Sequence, residues 1–185
     1  MKTILLICVA TLFGTFTYAQ HEHPQPAQTD TSKPKPKSPR QSAMAMVGDN
    51  HVHVDYGSPS VRGRQIWNGL VAYDQVWATG AHKATWIDFS QDVVINGKLV
   101  PKGKYGFFTI PGPKEWTLIL SKDWDMHLAD DYQPAQDMVR VQVKPEPQDE
   151  LTESLTYAVV PEGKGKGKIR MSWEKVSVSL PFQNK

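Results

Sequence analysis

VVINGKLVPKGKYGFFTIP, residues 93–111, decides the fold class. Two short apolar runs flank Asn96-Gly97, a dipeptide suited to the positive φ angles of a two-residue hairpin turn. Pro101-Lys102-Gly103 then turns the chain into YGFFTI, an aromatic and β-branched segment of strand length. Pro111-Gly112-Pro113 turns it again into EWTLILS. Strand, turn, strand is the local grammar, with no room for a helix.

The same grammar extends in both directions. Upstream lie ATWIDFS and the run AMAMV, Gly48-Asp49-Asn50, HVHVDY, which reads as another hairpin. Downstream lie MVRVQV, SLTYAVV, KIRMSW and KVSVSL, the first alternating between apolar and polar residues. These make roughly nine or ten strands with frequent turn signals, the pattern of an all-β domain. The only helical prospect is Ala129 to Asp137, which Pro134 keeps short. The expected architecture is a single antiparallel β-sandwich over residues 43–182, with barrel-like closure as the alternative.

The N-terminal stretch reads as an address. Lys2 precedes an uncharged apolar run, Ile4 to Phe16, and Thr17-Tyr18-Ala19 places small residues where a signal peptidase cuts. The run falls short of the roughly 20 apolar residues a transmembrane helix needs. Residues 1–19 are therefore expected to be a signal peptide cleaved near Ala19, and the mature protein to be periplasmic or secreted. The single cysteine, Cys8, lies in this leader behind Ile7, the wrong neighbour for a lipid anchor. Its loss would exclude disulfides and thiol chemistry. Residues 20–42 read as a linker, with Pro24, Pro26, Pro34, Pro36 and Pro39 interleaved with lysines. The net charge of +2 provides no general pull toward nucleic acid.

Four tracts together resemble a known family: DYGSPSVRGR (55–64), GLVAYDQVWATGAHKAT (69–85), GKLVPKGKYGFFTIPGPKEWTLIL (97–120) and IRMSWEKVSVSLPF (169–182). They are similar to the bacterial domain of unknown function 2911 family, over about residues 45–182. The resemblance implies an exported protein of Bacteroidota-type bacteria with no assigned activity. Relatives usually read W-R-T-G-A-N-E-A-T where this chain has Ala78, His82 and Lys83, so the charge of that tract has changed.

Several constellations could carry chemistry. His51, His53 and Asp55 share one face of a strand and could ligate a first-row metal, although a solvated polar face is the simpler reading. A cut one residue past the favoured site would expose His21-Glu22-His23, a possible square-planar copper or nickel site. The acidic run Asp123-Trp124-Asp125, with Asp130 and Asp131, lacks the glycine turn of a calcium loop. Gly163 to Lys168 lacks the order of a phosphate loop and reads as an exposed hairpin turn. His82, Asp88 and Asp74 are the acid–base candidates, but no nucleophile motif accompanies them. Of six tryptophans, Trp67 and Trp124 are the two expected at the surface.

The leading reading is a non-enzymatic, exported binding domain without cofactor. Its ligand would be a small molecule, a glycan or an envelope protein. The expected site joins Arg62, Arg64, Trp67, Tyr73, Thr79, His82 and Lys83, a loop-rich region where polar groups sit among aromatics. The alternatives are a hydrolase acting on an envelope polymer and a metal-handling protein.

Overall fold

A computed structural model describes residues 37–185. Residues 1–36, which hold the stretch read as a signal peptide, most of that read as a linker and the His21–His23 pair, lie outside the described residues. Ten strands form in chain order: β1 (Arg40–Val47), β2 (Asn50–Gly57), β3 (Thr85–Phe89), β4 (Val93–Ile95), β5 (Lys98–Val100), β6 (Gly103–Ile110), β7 (Trp116–Ser121), β8 (Asp137–Val143), β9 (Glu146–Gly163) and β10 (Lys166–Asn184). Strand β1 begins at Arg40, three residues inside the stretch read as linker.

Two antiparallel sheets result, in the orders β1-β2-β3-β6-β7-β8 and β5-β4-β10-β9. Neither closes into a barrel. The apolar alternation seen in the sequence faces inward: Val52, Val54, Ile87, Phe89, Phe107, Leu118 and Leu120 from the larger sheet meet Leu155, Tyr157, Met171, Trp173, Leu180 and Phe182 from the smaller one. Burying such side chains contributes about 1.5–3 kcal/mol each before chain entropy is counted.

The turns follow their residue chemistry. Asn96 and Gly97 have φ of 49° and 74°, the left-handed pair that a tight hairpin requires. Lys164 and Gly165 make the same turn between β9 and β10, so the Gly-Lys run is a hairpin tip. KIRMSW and KVSVSL, read as two strands, are one. Bulges around Ser172–Val176, with Glu174 at φ 56°, let β10 continue past the irregularity. The short helix expected over 129–137 is a single 3-10 turn at Pro134–Gln136.

Two departures matter for function. Trp67 is not at the surface. It is half-buried, its ring edge-on to Trp77, Trp116 and Trp173. And a second, smaller apolar cluster lies outside the sandwich. Ala78, Ala84, Phe108, Ile119 and Met126 gather on the outer face of β6 and β7. Their burial fastens the loop after β7 down onto the sheet.

Candidate functional site

The outer face of the larger sheet is built from cross-strand rungs, because directly opposed residues of antiparallel strands share a face. One rung runs Met44, His53, Asp88, Lys104 across β1, β2, β3 and β6. The next runs Ser42, Asp55, Trp86, Gly106, Ser121 across to β7. Trp86, Asp88 and Lys104 are half-buried there rather than packed in the core.

Gly106 is a gap in its rung. A Cβ at this position would lie 2.4 Å from Asp123 O and 3.2 Å from Trp124 Cα. The backbone after β7 therefore rests in the hollow that the missing side chain leaves. This seats Trp124 beside Trp86, with Lys104 between them. The Lys104 Nζ lies 3.9 Å from the Trp86 ring centroid and 4.4 Å from that of Trp124. Each such cation–π contact is worth about 0.5–1 kcal/mol at an exposed site.

Beside Trp124 opens a cavity of about 320 Å³ lined by Lys122, Asp123, Trp124, Asp125, Met126 and Asp131. Its rim is held from two sides. Backbone bonds join Ala84 N–H to Met126 O (3.0 Å) and Leu128 N–H to His82 O (2.6 Å). Lys83 Nζ reaches Asp125 at 3.3 Å, and Tyr132, packed on Phe108 at 5.1 Å between ring centroids, closes the loop's far end. The Tyr132 hydroxyl donates to the Asp137 carboxylate (2.7 Å) and accepts from Arg140 (2.9 Å). Burial, then the hydrogen bond to Asp137, pushes the Tyr132 phenol up to about 12.

A larger hollow of about 500 Å³ lies among Asp49, Gln91, Asp92, Lys102, Asn184 and Lys185. It carries no aromatic ring, and its polar groups serve the fold. Asp92 accepts from Lys102 N–H at 2.9 Å, and Asn184 bonds Asn50 at 3.0 Å and Val47 O at 2.7 Å.

The residues singled out from sequence are distributed differently from the expected site. Arg62 donates its guanidinium to Lys37 O, and Arg64 folds back on Val61 O and Ser60 O. Both arginines brace their own loop. Thr79 is buried, and its carbonyl accepts from Thr85 Oγ1 (2.9 Å) and the Tyr157 hydroxyl (2.8 Å). That makes it a structural pin, and the fully enclosed Tyr157 phenol is raised well above its ordinary value by desolvation. Tyr73 is half-buried and Trp67 belongs to the aromatic cluster. His82 and Lys83, by contrast, are exposed at the rim of the Trp124 cavity.

The acid–base candidates do not converge. Asp88 faces His53 and Lys104 on the sheet, Asp74 sits beside the β6–β7 turn with its N–H on Pro111 O, and His82 is at the loop rim. No hydrogen bond joins any two of them among the described residues. Asp55 shares its face with the two histidines as expected, but its carboxylate is taken by Arg40, which also donates to the carbonyls of Lys83 and Ala84. Among the described residues, no three His, Cys, Asp or Glu side chains form a metal-binding group.

Sequence reasoning passed over Trp86, Lys104 and Gly106. The available signal was a glycine inside a strand, which marks close approach of another backbone. No helix among the described residues is long and apolar enough to cross a membrane. A family model described as Protein of unknown function (DUF2911) matches residues 38–182. Neither the curated proteins nor the solved structures contain a match to the chain.

Proposed function

The chain belongs to the DUF2911 family, and on that premise we propose that it is an exported, non-enzymatic β-sandwich that binds a glycan at the bacterial envelope. The binding platform is Trp124 with the cavity beside it. One observation carries this reading: an indole, with Lys104 against its ring, lines a hollow of about 320 Å³ together with Asp123, Asp125, Asp131 and Lys122.

The chemistry of that arrangement suits a sugar. An indole has an apolar face against which the C–H side of a pyranose packs. The carboxylates accept hydroxyl hydrogen bonds, which are stronger when the acceptor is charged. Few, well-placed polar groups around an aromatic surface are how small-ligand sites orient their occupants. The anchoring of the loop by Met126 and Tyr132 limits the ordering cost of binding. The leader, read as a signal peptide, supports a location outside the cytoplasm, where envelope glycans are found.

The test is tryptophan fluorescence and calorimetric titration of the full chain with soluble chitooligosaccharides and peptidoglycan fragments. Saturable binding is expected, weakened about tenfold or more by Trp124→Ala, which corresponds to at least about 1.4 kcal/mol. Equal affinity in the Trp124→Ala variant, or no binding by the parent chain, refutes the reading.

A further inference from the structure

We infer that the exposed face of the β1–β2 hairpin is a binding site for one soft monovalent cation of the Cu(I) class, held by Met44, Met46, His51 and His53. This goes beyond the glycan reading and does not depend on it.

Register brings the four together. Met44 is opposite His53 and Met46 is opposite His51. The turn at Gly48-Asp49 is two residues long, so the rungs alternate between hydrogen-bonded and non-hydrogen-bonded pairs from Val47↔Asn50 onward. The His51 backbone points away from β1. Its N–H donates to Ser90 Oγ (2.8 Å) and its carbonyl accepts from Ser90 N–H (3.1 Å). Met46↔His51 is therefore a non-hydrogen-bonded pair, and by alternation so is Met44↔His53. In such pairs the side chains stand closest, with Cβ atoms roughly 4.5–5.5 Å apart. Along β2 the two imidazole centroids are 6.3 Å apart. Two thioethers and two imidazoles thus border one small patch.

The donor set selects the metal. Thioethers are soft ligands that favour Cu(I), and imidazole also suits copper, whereas hard cations want oxygen. The nearest carboxylate on the β2 face, Asp55, is committed to Arg40. Asp88 stands on the far side of His53, in the same rung, with Lys104 beyond it.

Two further observations point to a ligand. Met44 and Met46 are 55% and 53% exposed. They lie on β1, an edge of the larger sheet, where long apolar side chains invite edge-to-edge association and lysine is the usual occupant. Their exposure costs the fold something and gains it no packing. His53 Nε2, in turn, is buried without a hydrogen-bond partner. Trp86 stands edge-on to that ring at 5.0 Å between centroids, forming a wall on one side. A buried imidazole nitrogen left unpaired is a donor atom held ready at a stability cost. A half-turn of the ring about its Cβ–Cγ bond exchanges Nε2 with Cε1 and Nδ1 with Cδ2, and so carries the unpaired nitrogen to the place Cε1 now holds.

The experiment uses the full chain carrying C8S, so that the Cys8 thiol does not take the first Ag(I), labelled with methyl-13C methionine in chloride-free buffer. Ag(I) serves as a redox-inert probe of the Cu(I) class. With the first equivalent of Ag(I), the Met44 and Met46 methyl resonances, assigned through M44L and M46L, are expected to shift together with the ring protons of His51 and His53. The double variant M44L/M46L should bind Ag(I) about tenfold more weakly or worse. Excess Zn(II) should leave the Ag(I)-shifted methyl signals in place. The inference is overturned if the first equivalent leaves both methyl resonances unmoved, if M44L/M46L binds Ag(I) as tightly as the parent, or if Zn(II) displaces Ag(I). Leucine on an exposed strand face keeps the hairpin's pattern, so the variant remains folded, and its amide spectrum checks this.

Discussion

Substitution of Gly106 by alanine tests whether the Trp124 loop rests on the sheet as described. The added methyl carbon would lie 2.4 Å from Asp123 O, 2.7 Å from Phe108 Cε2 and 3.2 Å from Trp124 Cα. Ordinary contact begins near 3.4 Å, so the loop must rise by roughly an ångström at Asp123. Two of the three obstructing atoms are backbone, which cannot swing aside as a side-chain tip does. Overpacking of this kind costs typically about 1–3 kcal/mol. Lifting Trp124 off Lys104 forfeits about 0.5–1 kcal/mol more. Lower entropy of the unfolded alanine chain returns about 0.4–1 kcal/mol. The expected net destabilisation is therefore about 1–3 kcal/mol. It is read as a lower urea midpoint with an unchanged m-value, and as a fall in Tm of about 2–4 °C per kcal/mol for a chain of this size. Glycan binding should weaken in the same variant even at temperatures where it is fully folded. A Gly106→Ala protein within about 0.5 kcal/mol of the parent, with binding intact, would refute the placement of the loop.

Other consequences follow from the same contacts. Asn50 is fully buried; its Nδ2 donates to Asn184 Oδ1 (3.0 Å), and its Oδ1 accepts from Gln91 N–H (3.1 Å) and Ser90 Oγ (3.2 Å). Asn50→Ala should cost about 1–3 kcal/mol in urea unfolding, since it removes three part-buried hydrogen bonds that each contribute about 0.5–1.5 kcal/mol. A cost below about 0.5 kcal/mol would contradict that network. Tyr132→Phe should destabilise by about 1–2 kcal/mol at neutral pH, because the largely enclosed Asp137 carboxylate loses a donor. The phenol of Tyr132, raised from 10.0 to about 12, also predicts an alkaline limb. The folded state retains the proton more tightly, so this contribution is complete below about pH 10 and is lost as pH rises toward 12. Two pK units set a ceiling of about 2.7 kcal/mol, and partial exposure of the ring reduces that to about 1 kcal/mol. Stability against pH should be flatter over that interval in Tyr132→Phe than in the parent; equal slopes would assign the limb to Tyr105 and Tyr157 instead, whose phenols are also raised by burial.

The β-sandwich was legible because its signals are local. Asn96-Gly97 imposes its own φ angles, and period-two alternation in residues such as Val139, Arg140, Val141 and Gln142 states which face is buried without reference to any other strand. Where a signal had two readings, the larger context chose. Trp86 and Trp173 both sit in apolar strand runs, yet only Trp173 is in the core, because bulk and hydrophobicity do not tell which of a strand's faces meets the second sheet. Trp67, next to Asn68-Gly69, carried the mark of a turn, and the aromatic cluster drew it inward all the same.

The sequence by itself determined an all-β chain, the positions of its hairpins and the absence of cysteine beyond residue 8. Tertiary structure alone decided the Trp124 site. Met44 meets His53 through the register that the two-residue turn at Gly48-Asp49 sets locally, whereas Trp124 reaches Lys104 only because Gly106, far from it along the chain, leaves room for a backbone to pass. The latter is a contact between segments whose local preferences are independent. Their meeting is set by which surfaces pack best together once the whole chain has collapsed, a property no single stretch carries.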